Sequence, residues 1–150
     1  MEFKFLKPGK LTDKNLELSL IKMIPADDSK GYVPSYNFEL INTDTREKMG
    51  DINLRVGYNE NIKYGGNMGY GVDEKFRGQH YASRAIKLLL PFAKQHGLKE
   101  ITITCDPENT ASRKTCELAG GKFEEIVDIP ENNDQYKRGD RQNCIYKFVL

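Results

Sequence analysis

Residues 69–123, GYGVDEKFRGQHYASRAIKLLLPFAKQHGLKEITITCDPENTASRKTCELAGGKF, decide how the rest of the chain is read. They belong to a short apolar run over 68–72 that carries Gly69 and Gly71, and two glycines weaken a strand unless something must approach its backbone closely. A polar turn follows over 73–78. From Gln79 onward Ala82, Ala85, Ile86, Leu89, Phe92 and Ala93 recur at helical spacing, and the pattern stops at Gly97. A strand, a glycine turn and a helix in that order point free backbone N–H groups and the positive end of the helix dipole at one spot, which suits a phosphate or pyrophosphate. Pro91 lies inside the helical pattern, forfeits one hydrogen bond, and should kink the helix or mark its last turns. An alternating strand, Ile101-Thr102-Ile103-Thr104-Cys105, comes next, then the turn Asp106-Pro107-Glu108-Asn109 and a second short helix that ends near Gly120 and Gly121. Asn109 is placed to cap that helix.

In this order and spacing the stretch resembles the acetyl-CoA-binding core of the GNAT family of N-acetyltransferases. The first family signature, (Gln/Arg)-x-x-Gly-x-(Gly/Ala), falls on Lys75-Phe76-Arg77-Gly78-Gln79-His80, and its extended form runs on through Tyr81-Ala82-Ser83. Lys75 replaces Gln or Arg, and His80 replaces the second glycine. A non-glycine residue still supplies its N–H, and helical φ and ψ at a helix start need no glycine, so His80 is expected in a helical conformation. The second signature, Asp-Pro-x-Asn-x-x-Ser and then Leu-x-Gly-x-x-Phe, is matched by Asp106-Pro107-Glu108-Asn109-Thr110-Ala111-Ser112 and Leu118-Ala119-Gly120-Gly121-Lys122-Phe123.

The resemblance implies an acetyl-CoA-dependent N-acetyltransferase acting on a primary amine of a small molecule or peptide, by direct attack in a ternary complex. Acyl transfer from a thioester to an amine needs a deprotonated amine, a stabilised oxyanion and a protonated leaving thiolate. The family arrangement would pair Tyr70, Gly71 and Val72 with the pantetheine arm, with the Val72 N–H polarising the carbonyl. N–H groups from Arg77, Gly78, Gln79, His80, Tyr81 and Ala82, with the Ser83 hydroxyl, would hold the pyrophosphate, and Lys75 and Arg77 would add charge. Asn109 and Ser112 complete the implied cofactor contacts. Cys116 stands where many members carry a tyrosine that protonates the departing thiolate. A thiol can donate that proton, but a buried cysteine is most often a small core hydrophobe, and packing is the favoured reading. Tyr70, Tyr136 and Tyr146 are alternative donors. Glu39, Asp51 and Glu125 are candidates for the base, acting directly or through water. The competing function is a non-catalytic acyl-CoA-binding module.

Composition narrows the classes. Twenty-three basic residues against 22 acidic ones leave a net charge of +1 over 150 residues, so no global field favours nucleic acid or an anionic membrane. Lys137, Arg138 and Arg141 make a short charged loop that reads as solvated. Gly78 lacks the Gly-Lys-(Ser/Thr) of a phosphate-binding P-loop. The start, Met1-Glu2-Phe3-Lys4-Phe5, has no apolar run of signal length and no stretch is long enough to span a membrane, so a cytoplasmic protein is expected. Three cysteines without a Cys-x-x-Cys pair, and two histidines outside any ligand spacing, argue against a disulfide framework and a metal site. The expected partners are acetyl-CoA and an amine, with no nucleic acid and no membrane, in a monomer or homodimer.

The flanks read mainly as strands. Residues before Leu16 form a polar lead-in, 16–23 a first strand, and 36–41 with 48–56 a hairpin. The interval 25–34 has turn chemistry and no helical period, where family members usually carry one or two helices. Residues 57–66 read as a polar loop, 124–129 as a strand, 130–143 as a charged loop, and 144–150 as a last strand. The fold class that results is α/β: a single-domain, GNAT-like mixed β-sheet flanked by helices and splayed between the strands near 68–72 and 101–105.

Overall fold

A computed structural model describes residues 3–150, so Met1 and Glu2 of the proposed start lie outside the described residues. The elements in chain order are β1 (Thr12–Asp13), β2 (Leu16–Ile24), β3 (Ser35–Asn42), β4 (Lys48–Arg55), α1 (Glu60–Gly65), β5 (Met68–Val72), α2 (Tyr81–Gln95), β6 (Glu100–Cys105), α3 (Thr110–Leu118), β7 (Lys122–Asp128), α4 (Asp134–Lys137) and β8 (Gln142–Val149). Strands β1 to β5 pair in sequence order as one antiparallel sheet, and β6, β8 and β7 form a second antiparallel sheet with β8 in the middle.

Strand alternation builds the core of the first sheet. Tyr36, Phe38, Leu40, Ile52 and Leu54 point to one face and are buried there, against Ala85, Ile86, Leu89, Phe92 and Ala93 of α2. The two periods, two for the strands and 3.6 for the helix, meet on that face. Helix α2 continues unbroken through Pro91 to Gln95. Pro91 and Lys87 both lie on its exposed side, where water satisfies the carbonyl that loses its partner.

The splay turns on Asn67, the residue before β5, which is fully buried. Its N–H donates to the Thr102 carbonyl at 2.7 Å, and its Oδ1 accepts the Thr102 N–H at 3.0 Å. Its Nδ2 donates to the carbonyls of Arg55 and Gly57, each at 3.0 Å. One side chain thus imitates the missing half of a β-ladder and joins the two sheets at a single point. Gly66 beside it has φ +76, and a Cβ there would stand 3.1 Å from both Thr102 O and Thr104 N. Beyond this point β5 and β6 share no ladder pair among the described residues, and a slot opens between them.

Three segments differ from their sequence reading. Residues 57–66 contain α1, capped by Asn59, whose side chain accepts from the Ile62 N–H. Residues 130–143 contain α4, capped in the same way by Asn133. Both helices are a turn or so long, too short to show a period. The lead-in contains β1, a two-residue strand folded back on β2. The interval 25–34 has no helix, as its turn chemistry implied; it closes on a bridge between Asp27 and Tyr32.

Replacing Asn67 by alanine should leave the Thr102 N–H and the carbonyls of Arg55 and Gly57 short of partners in a buried site. The expected cost is about 2–4 kcal/mol, read as a lower urea midpoint at unchanged m-value. A midpoint shift equal to that of an exposed asparagine would show that the splice does not hold the sheets together.

Candidate active site

The inner wall of the slot is the open edge of β5. Asp73 N–H donates to Met49 O at 2.8 Å, Gly69 N–H donates to Asn53 Oδ1 at 2.9 Å, and Gly71 stands opposite Asp51 in the ladder. Odd-numbered residues therefore turn their polar groups toward β4. By strand alternation Tyr70 and Val72 present theirs to the slot. The Val72 carbonyl accepts Arg77 Nε at 3.0 Å, and by the same alternation the Val72 N–H points away from β4. The register shows no bulge at Gly71, and a Cβ there would meet no protein atom, so the room the glycine keeps belongs to the groove outside.

The turn into α2 corrects two expectations. His80 is in the left-handed region, at φ +63 and ψ 22, and not helical. It caps α2 in a conformation that favours the glycine the family pattern carries there, which strains a side-chain-bearing residue. Gly78 also has positive φ, at +85. The Ser83 hydroxyl, expected to face a pyrophosphate, is buried and donates back to the His80 carbonyl at 3.0 Å. The N–H groups at the start of α2, on Tyr81, Ala82 and Ser83, precede the first intrahelical bond, Arg84 N–H to His80 O. Lys75 is exposed and paired with Glu47 at 2.8 Å. Gln79 is exposed. Tyr81 is buried, its hydroxyl accepts from Asn15, and neighbouring Arg84 binds Asp13 at 2.7 Å, which holds that carboxyl below the usual carboxylate range and ties β1 to the helix start.

Across the slot, Asn109 Oδ1 accepts the Ser112 N–H at 3.1 Å, the helix cap its position implied. Tyr70 reaches over to α3, its hydroxyl 2.8 Å from Ser112 Oγ. Burial, with neighbouring Cys116, pushes the phenol far above its ordinary value. Cys116 itself is fully buried, and burial, then the nearby Cys105, pushes its thiol up to about 12. Tyr146 is committed elsewhere, accepting from Arg113 Nε at 2.9 Å within the second sheet, and Tyr136 lies under Arg141 on α4. Of the three tyrosines left open, Tyr70 is the one on the slot.

The outer face of the first sheet is a polar floor laid out in rows by register. Glu39, Asp51 and Gly71 form one row, Asn37, Asn53 and Gly69 the next, and Ser35 with Arg55 the third. Lys48 spans Glu39 and Asp51, 3.3 Å from each, and those carboxylates, Asp51 first, raise its pKa. Glu125 is exposed on β7, at the outer edge of the second sheet, and joins no row. A groove of about 850 Å³ covers Asn37, Asn53 and Arg55, walled by Lys30, Asn61 and Arg138. It shares Asn37 and Asn53 with a hollow of about 400 Å³ over Asp51 and Gly71. Thr104, Gln135 and Asn143 all donate to the Tyr64 carbonyl, at 2.7–2.9 Å, and so fasten the α4 wall to α1. Sequence reading missed Asn37, Asn53 and Arg55, although their alternation with buried Phe38, Ile52 and Leu54 was visible; what it lacked was the register that aligns them. Among the described residues no cluster of His, Cys, Asp and Glu could hold a metal ion, and no helix is long and apolar enough to cross a membrane.

Solved structures share this architecture. A ribosomal-protein-serine acetyltransferase from Vibrio cholerae, itself a provisional assignment, superposes at a TM-score of 0.70 with 16% identity, over 97% of this chain and 100% of that one. A ribosomal-protein-S5-alanine acetyltransferase from Vibrio fischeri gives 0.68 with 13% identity, over 93% and 96%. A ribosomal L7/L12 α-N-protein acetyltransferase, solved with coenzyme A in disulfide linkage to one of its cysteines, gives 0.67 with 16% identity, over 94% and 98%. No curated protein matches the sequence. The family model for the acetyltransferase (GNAT) domain matches residues 1–122. With that match over most of its length and the superposition of its structural neighbours, the chain belongs to the GNAT acetyltransferases, enzymes that move an acyl group from acetyl-CoA.

Proposed function

We propose that this protein transfers acetyl from acetyl-CoA to a primary amine of a small molecule or peptide, with the two substrates entering from opposite faces of the first sheet. The observation that supports the reading is the β5 edge, which has no ladder partner on the side facing β6 and turns the Val72 N–H away from β4, with the outer hollow over Gly71 beside it. In this reading the pantetheine arm pairs with Tyr70 and Val72 as a strand would. The pyrophosphate sits at the start of α2, on backbone N–H groups from Gly78 to Ser83. The contribution of residue 83 is its N–H, since its hydroxyl is used inward. Asn109 keeps its Nδ2 for a pantetheine carbonyl while its Oδ1 caps α3.

For the chemistry, the amine nitrogen attacks the thioester carbon, the Val72 N–H stabilises the oxygen as it becomes an oxyanion, and collapse breaks the C–S bond. The amine must shed one proton and the departing thiolate gains one, so the overall step balances without an external acid. Asp51 and Glu39 are the carboxylates nearest Gly71 and draw the amine's proton through water. Cys116 is a poor acid for the thiolate. With its thiol at about 12 and an ordinary thiol near 8.5, proton transfer would run uphill by about 3.5 pK units. The residue is therefore a packing group, with direct attack and no acyl-enzyme.

Calorimetry with acetyl-CoA tests the cofactor site. Gly78→Asp should weaken binding at least about 10-fold, by bulk, charge and an unfavourable positive φ, and Lys75→Ala less than about threefold, because Lys75 is already paired with Glu47. Equal, small losses in both would count against the site. Cys116→Ala separates packing from acid catalysis. Its turnover per folded molecule should stay within about twofold of the parent, against a loss of about 10² or more for a positioned acid. The thiol also sets a pH signature. Its pKa is raised in the folded state from about 9 to about 12, so its contribution is complete below pH 9 and is lost as pH rises through 12. Stability of the parent should fall across that window more steeply than that of Cys116→Ala; parallel curves would show that the thiol does not titrate as its burial requires.

A further inference from the structure

The middle and third rows of the outer floor bring two hydrogen-bond donors, on Asn53 and Arg55, together over Gly69. Arg55 Nη1 donates to the carbonyls of Gly65 and Gly66, at 2.9 Å each, which fixes the guanidinium plane. Its Nε–Nη2 edge makes no hydrogen bond, and no carboxylate pairs with it, among the described residues. Nη2 stands 3.1 Å from the point where a Gly69 Cβ would be. Asn53 Oδ1 takes the Gly69 N–H, so the amide orientation is set and Nδ2, 3.5 Å from the same point, is left to face the groove. The pocket between them exists because residue 69 has no side chain. Burial depresses the Arg55 pKa, the direction expected for a cation with no counter-ion, yet a guanidinium stays charged.

A guanidinium with one whole N–H edge free is the geometry that binds a carboxylate bidentately. Gly69 is two residues from Gly71 on the same strand face, so this anion seat is about 7 Å along β5 from Gly71, beside which the proposed mechanism puts the amine. The Glu39 and Asp51 row beside Gly71 has two carboxylates against one lysine, so the floor is acidic at the amine end and cationic at the Arg55 end. We propose that the acceptor is an amino carboxylate, with its carboxylate on Arg55 and Asn53 over Gly69 and its reacting amine about 7 Å away. This rests on the amine entering through the outer groove. A free ω-amino acid of five or six carbons has that span, and so does a peptide N-terminus followed closely by an acidic side chain.

Purified enzyme and acetyl-CoA are assayed with 5-aminopentanoate and 6-aminohexanoate against the alkylamines of equal length, and with a tripeptide carrying aspartate in second place against its asparagine counterpart. The parent should favour the carboxylate in at least one pair by about 10- to 100-fold in kcat/KM, and the pair that responds tells free amino acid from peptide. Arg55→Gln should bring the ratio to within about threefold of unity while acetyl-CoA affinity is unchanged. Because Arg55 also holds Gly65 and Gly66, Gly69→Ala is the second variant: it fills the seat, leaves the cation in place, and should lower the same ratio. Calorimetry of the N-acetylated products with the protein reads the preference without turnover. Failure to bind acetyl-CoA would sink the transfer reading alone, and product binding would then decide the carboxylate seat. Equal activity and equal product binding for carboxylates and neutral partners, or ratios untouched by both variants, would overturn the proposal.

Discussion

Asn67 satisfies in one buried side chain what a β-ladder would otherwise satisfy over a whole strand. Two sheets that joined along their full length would bury every N–H of β5 in pairing and leave no edge for a ligand. Two sheets that did not join would expose buried polar groups of Thr102, Arg55 and Gly57. An asparagine resolves this because its amide has the donor and acceptor pattern of a peptide unit, turned sideways. The junction then costs one residue of register, and everything beyond it is free to diverge. Gly66 is the steric counterpart, since a side chain there would push β6 away from the Asn67 junction.

An open strand edge is a hazard for a soluble fold unless something covers or uses it. Here Arg77 takes the Val72 carbonyl and Tyr70 bridges to Ser112, so much of the polar inventory of the slot is engaged before any ligand arrives. What is left includes the Val72 N–H, the backbone groups of Tyr70 on the same edge and the first N–H groups of α2. Those N–H groups suit the proposed acetyl-CoA, whose thioester carbonyl and phosphates are acceptors. The left-handed His80 stores strain in the turn that opens α2, and Ser83 secures that turn from beneath.

The opposite face shows how register converts a bland alternation into a surface with direction. Each strand alone contributes a polar residue at every second position. Aligned, they produce carboxylates at one end, amides in the middle and an arginine at the far end. Glycines at 69 and 71 keep the β5 side of that floor low, so a substrate can lie against backbone there.

Contiguous chemistry is what the sequence by itself determined. The two signatures lie on unbroken runs, Lys75 to Ser83 and Asp106 to Ser112, and a turn followed by a helix start depends on local φ, ψ and capping, so the glycine turn into α2 and the Asn109 cap were legible before any coordinates. Strand positions were legible for the same reason, as a period of two survives in any tertiary setting. Short elements such as α1 and α4 were not, because one helical turn carries no period. The tertiary structure alone decided the rest: Asn67 as the splice, His80 in left-handed backbone, the Ser83 hydroxyl turned inward, Cys116 sealed from solvent, and Asn53, Arg55 and Gly69 gathered into one seat. These depend on register and burial, which are set by pairing between residues distant in the chain, and no local pattern encodes which strand faces which or how much water a thiol loses when it is covered.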